Sequence, residues 1–169
     1  MKSLYLYTSQ SVKDICVKND IFCFKNNIVI AIDKSKYSKE ARRNLQKQYE
    51  MYPYPISQRV LKEILLYMLD ITCEFRIINV SFIDDSIENE PEYSNLQQQV
   101  LSNNIKEVYK LIFCIMDEFN TDMHKLFFRY KGYDLSLSTE GVLTIEAPDE
   151  ILFSFITANK PNKLILGLT

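Results

Sequence analysis

Residues 104–119 read NIKEVYKLIFCIMDEF, and residues 123–148 read MHKLFFRYKGYDLSLSTEGVLTIEAP. In the first stretch Ile105, Val108, Tyr109, Ile112, Ile115, Met116 and Phe119 recur at the three- and four-residue spacing of one helical face. Leu111, Phe113 and Cys114 make much of the remainder apolar as well, so the pattern predicts a central helix covered on more than one side. Asn104 and Glu107 have the spacing of a capping box at its start. In the second stretch Tyr133 to Ser138 alternates apolar with polar, Thr139-Glu140-Gly141 supplies a turn with glycine for positive φ, and Val142 to Glu146 alternates back. A strong helix followed by two or three tightly connected strands predicts an α+β fold, with largely antiparallel hairpins packed around helix 104–119.

The rest of the chain extends this reading. SLYLY at 3–7 reads as a short strand, and the runs Ile21 to Lys25 and Ile28 to Asp33 flank Asn26-Asn27, the residue pair of a two-residue hairpin turn. From Ser38, a plausible N-cap, the composition turns helix-forming, with a thin apolar stripe of Ala41, Leu45, Tyr49 and Tyr52 before Tyr52-Pro53-Tyr54-Pro55 stops it. A second helix starts at Ser57 and runs to about Asp70, with Val60, Leu61, Ile64, Leu65 and Met68 facing the core. Residues 71–83, ITCEFRIINVSFI, predict a strand with a bulge near Ile78-Asn79. DDSIENEPEY at 84–93 reads as an exposed connection, and Ser94 with Gln97 as a capping box opening another helix. Pro148-Asp149-Glu150 reads as a helix first turn, and KPNKLILGLT as a last short strand. With 169 residues, 47% of them hydrophobic, and no internal repeat, one domain spanning 1–169 is expected.

Composition narrows the chemistry. Twenty basic against 22 acidic residues give a formal charge of -2, so no overall positive field favours nucleic acid. The amino-terminal apolar stretch is too short for a signal-peptide core and no run approaches a membrane span, which predicts a cytoplasmic protein with no membrane contact. Cys16, Cys23, Cys73 and Cys114 lie in apolar contexts without a C-x-x-C pair, and read as buried free thiols of a reducing compartment. Gly132, Gly141 and Gly167 are the only glycines, too few and too scattered for a phosphate-cradling loop or a G-x-S-x-G elbow. His124 is the only histidine, which removes two-histidine zinc sites and paired-imidazole acid–base schemes. No catalytic residue, metal site or cofactor is therefore expected, and the chain reads as a protein that is not an enzyme.

Two charged surfaces remain. Asp84, Asp85, Glu88, Glu90 and Glu92, with Tyr93 beside them, are the densest charge cluster. Three readings compete: a solvated connection, a recognition surface for a basic partner with Tyr93 as aromatic anchor, or a metal loop, the last lacking the glycine and ligand spacing of a calcium site. Lys34, Lys36, Lys39, Arg42, Arg43 and Lys47 form an opposing basic patch. It reads as a solvated helix face or, with the tyrosines of YMYPYP, as a contact for single-stranded nucleic acid.

Taken across its length, the chain resembles the immunity proteins that accompany bacterial polymorphic toxins, including those of contact-dependent growth inhibition systems. The resemblance rests on one α+β domain, a mild negative charge, the acidic run DDSIENEPEY and few glycines. It implies an intracellular inhibitor that binds one cognate protein toxin, such as a basic nuclease, and blocks its active site or its access to substrate. The alternative is a nucleic-acid-associated accessory or regulatory protein using the basic helix 34–47.

Overall fold

The computed structural model describes residues 2–9, 22–23, 29–69, 74–148 and 150–151. In chain order these form strand β1 (Lys2–Thr8), β2 (Phe22–Cys23), β3 (Val29–Asp33), helix α1 (Lys39–Gln48), β4 (Tyr52–Pro53), α2 (Gln58–Met68), β5 (Phe75–Phe82), a short 3-10 helix (Asp85–Asn89), α3 (Pro91–Leu101), α4 (Ile105–Glu118), β6 (Met123–Tyr130), β7 (Tyr133–Ser138) and β8 (Val142–Ile145). The fold is α+β, with antiparallel strand pairing. Its contacts divide it into two compact units, Met1–Ile56 with Glu140–Thr169, and Ser57–Thr139.

In the first unit β1 is the central strand. It pairs with β3 from Leu4↔Asp33 to Thr8↔Val29, and with β8 from Lys2↔Ile145 to Tyr5↔Val142. β2 continues the sheet beyond β3 through Phe22↔Ala31 and Cys23↔Ile30; the Asn26-Asn27 turn lies outside the described residues. Leu6 joins two neighbours at once, its N–H donating to the Gly141 carbonyl at 2.8 Å and its carbonyl accepting from the Tyr54 N–H at 2.9 Å. Gly141 holds φ +76, and a Cβ there would run into the Tyr54 carbonyl oxygen, so this turn admits only glycine without distortion. Ser38 caps α1 by accepting from the Ala41 N–H at 3.1 Å, and the helix packs Leu45 onto Tyr7, Ile30, Ile32 and Met51. The helix ends before the proline segment that was expected to stop it, because Glu50 turns to φ +48 and Tyr52-Pro53 then pair with β1.

In the second unit β6 lies between β5 and β7. Lys131-Gly132 joins β6 to β7 with φ of +48 and +84, the two positive values that a type I′ hairpin turn demands. β5 carries a register shift between Ile77 and Asn79, where the sequence suggests a bulge. One face of this sheet, including Phe75, Val80, Leu126 and Phe128, is buried, as are Leu61, Ile64, Leu65 and Met68 of α2 and Val108, Ile112, Ile115 and Met116 of α4. Phe75 stacks on Tyr130 with centroids 4.8 Å apart, and tilts against Phe128 at 5.8 Å. Gln58, just inside the Ser57 cap of α2, clamps the start of β6: its amide nitrogen donates to the Met123 carbonyl at 2.6 Å and its amide oxygen accepts the Met123 N–H at 3.2 Å.

Several expectations need correction. Cys114 is exposed, not buried, and Leu111 and Phe113, flanking the buried Val108, Ile112, Ile115, Met116 face, are partly exposed, so apolar character there does not mark full burial. Asn104 is the N-cap of α4 without a side-chain capping bond, its amide donating to the Gln99 side chain at 3.0 Å instead. α3 begins at Pro91, three residues before the expected Ser94, because proline is pre-set for the first helical position. Ser136 and Ser138, the polar positions of the alternating β7 run, are buried like its leucines. Glu150 and Ile151 are helical, as the Pro148 signal suggests, while the expected strand in the tail and the environments of Cys16 and Cys73 lie outside the described residues.

Candidate functional site

The acidic run is not a loose connection. Asp84 caps the 3-10 helix, its Oδ1 accepting from both the Ser86 N–H at 2.9 Å and the Ser86 hydroxyl at 2.7 Å, and these two bonds hold its carboxyl below the usual carboxylate range. Ile87, the one aliphatic residue of the turn, is fully buried and pins it to the core. α3 follows without a side-chain cap, its first turn helped by Pro91 and by Glu92 against the helix dipole. The result is an ordered turn that leaves Asp84, Asp85 and Glu88 exposed and Glu90 and Glu92 partly exposed. No salt bridge engages any of the five among the described residues.

Tyr93 does something other than the surface anchoring expected of it. It is 8% exposed, edge-on to Phe82, and its hydroxyl donates to Asn79 Oδ1 at 3.1 Å and approaches the Val80 carbonyl at 3.3 Å. Burial pushes this phenol above its usual range, while the Asn79 bond opposes that shift. Asn79 Oδ1 also accepts from the Gln97 amide at 2.7 Å and from the Val80 N–H at 2.7 Å. The bulge in β5 thus places one side-chain oxygen where it fastens α3, and with it the acidic turn, to the sheet.

The apolar element of this surface is Ile83, which is 63% exposed. It lines a groove of about 400 Å³ together with Asp84, Phe119, Asn120, Thr121 and Asp122, a set without a cation. The Ile83 N–H donates to the Asp122 carbonyl at 2.9 Å, which ties the acidic turn to the end of α4. That end carries Asp117 and Glu118 and no basic residue in its last turn, so its negative dipole end is reinforced, contrary to what stabilises a helix. Charge density drew attention to the acids at 84–92 but not to Ile83, Asp117, Glu118 or Asp122, which only the chain's folding brings to the same end of this unit.

The basic patch is less available than its composition suggests. Arg42 is partly buried; its guanidinium donates to the Tyr37 carbonyl at 2.7 Å and lies 5.0 Å from the centre of the Tyr5 ring. Lys34, Lys36, Lys39, Arg43 and Lys47 are exposed, and of the nearby tyrosines Tyr52 is 65% exposed. His124 lies partly buried in β6, where its carbonyl accepts from the Thr139 N–H at 2.9 Å. Among the described residues no group of three or more histidine, cysteine or acidic side chains is placed to hold a metal ion, and no helix is long and apolar enough to cross a membrane. No protein-family description, no curated protein and no solved structure matches this chain.

Proposed function

We propose that this protein acts by binding, as a cytoplasmic immunity-type inhibitor that covers the active site or substrate entrance of a basic protein toxin, with the acidic turn 84–92 as the contact surface. The observation that carries this reading is the combination of order and unsatisfied charge. Ile87 and Tyr93 hold the turn on the core, while its carboxylates face solvent with no cationic partner among the described residues. Charges fixed before encounter lose little conformational entropy on binding, and a field of one sign steers a partner of the other sign. Ile83 supplies an exposed apolar contact in the midst of that field, the arrangement in which a desolvated residue contributes most.

The product of the neighbouring open reading frame is the natural probe. Mixed with it, the purified chain is expected to form a stoichiometric complex by size-exclusion chromatography and to abolish that protein's activity. Absence of both a complex and inhibition would refute the reading. Retention of the free chain on heparin, lost on Arg43→Gln with Lys47→Gln, would favour the nucleic-acid alternative instead.

A further inference from the structure

The second unit contains another groove, of about 620 Å³, within the roughly 300–1,000 Å³ range of small-molecule sites. Its floor comes from the start of β5, one wall from the end of α3 and the other from the β6–β7 turn. Across this region the strand register sets Arg76 of β5 directly opposite Arg129 of β6, and Arg129 opposite Asp134 of β7. Like charges facing each other across strands oppose pairing.

The two arginines are treated differently. Arg129 is answered from β7: its Nε donates to Asp134 Oδ1 at 2.6 Å and its Nη2 to Asp134 Oδ2 at 3.1 Å, a two-pronged carboxylate grip. Lys131, at the groove mouth, is engaged by the Tyr130 hydroxyl and by the charge of Glu74. Among the described residues Arg76 has no ion pair or hydrogen bond to its guanidinium, and β5 pairs only with β6, with no further described strand to offer Arg76 an acid as β7 does for Arg129. Facing it across the groove is Leu101 at the end of α3, 85% exposed, with Val100 and Ile78 partly exposed. An unanswered guanidinium and an uncovered aliphatic wall thus line the same concavity.

We propose that this groove binds a small amphipathic carboxylate, its head on Arg76 in the manner of Asp134 on Arg129 and its apolar body against Leu101, Val100 and Ile78. Such an anion pairs with Arg76 and covers the leucine in one event. The site is separate from the acidic turn, so its occupancy and the inhibitor reading stand or fall independently.

The test is titration of the full chain with straight-chain carboxylates from butanoate to octanoate, followed by amide chemical shifts. Octanoate should bind saturably and more tightly than butanoate, with shifts concentrated at residues 74–78, 100–103 and 129–132. Octanol should bind at least about tenfold more weakly, and Arg76→Gln should weaken octanoate by about tenfold, the effect of one charge-assisted hydrogen bond. Leu101→Ser should remove the dependence on chain length; at so exposed a position it leaves the fold intact, so the question remains answerable even were Arg76→Gln to misfold. Equal affinity for octanol and octanoate, affinity independent of chain length, or shifts centred elsewhere would each overturn the proposal.

Discussion

At the scale of single residues, Asn79 and Asp134 each concentrate an argument. The Asn79 side-chain oxygen accepts from a backbone N–H, an amide and a phenol, and so joins the bulge of β5 to α3. Asn79→Leu removes the acceptor and strands the Val80 N–H and the Gln97 amide, while the Tyr93 hydroxyl keeps the Val80 carbonyl, and should lower stability by about 2–3 kcal/mol in urea denaturation, whereas Asn79→Asp keeps an acceptor and should lose much less. Asp134 is held below the usual carboxylate range first by its hydrogen bond to Arg129, with their charge attraction added. A carboxyl whose pKa is lower in the folded than in the unfolded chain stabilises above its unfolded pKa, and that contribution disappears as pH falls through the folded value. Asp134→Asn should therefore lower Tm slightly at neutral pH, with the gap to the parent closing in acid; since the pair is solvent-exposed, high salt should shrink it too.

At the scale of elements, α4 separates hydrophobic content from burial. Ile112→Ala should cost about 2–5 kcal/mol because the side chain is fully buried, whereas Cys114→Ser should shift stability by less than about 0.5 kcal/mol. The same exposure predicts that a thiol reagent modifies Cys114 in the native protein; protection until unfolding would contradict the one-sided placement of this helix. The elements legible in the sequence were those marked by backbone chemistry or strict period: the Ser38 cap, the helix start at Ser57, the β5 bulge, helix 105–118 and the strands flanking Gly141. Acid-rich composition hid the 3-10 helix, because one buried isoleucine among polar neighbours leaves no periodic trace. The burial of the β7 serines left no mark in the sequence, because a small hydroxyl tolerates burial as readily as exposure. For the candidate site, the sequence showed where the acids cluster but not the burial of Tyr93, which is bonded to Asn79 fourteen positions away in the chain.

At the scale of the molecule, a formal charge of -2 says little about partners, since what matters is where charge collects. In the second unit Asp84, Asp85, Glu88, Asp117, Glu118 and Asp122 are all exposed, and Asp84 and Asp122 line a groove without a lysine or arginine. Such a field should act mainly on the encounter rate, and screening at physiological salt, with a Debye length of about 8 Å, should weaken it visibly. The decisive measurement is the association rate between this protein and the product of the neighbouring open reading frame, taken across a salt series for the parent and for the triple variant Asp85→Lys, Glu88→Lys, Glu90→Lys. The account predicts a fast, steeply salt-dependent rate for the parent and a slower, flatter one for the variant, each measured where the protein is fully folded; identical rates at every salt concentration would contradict it.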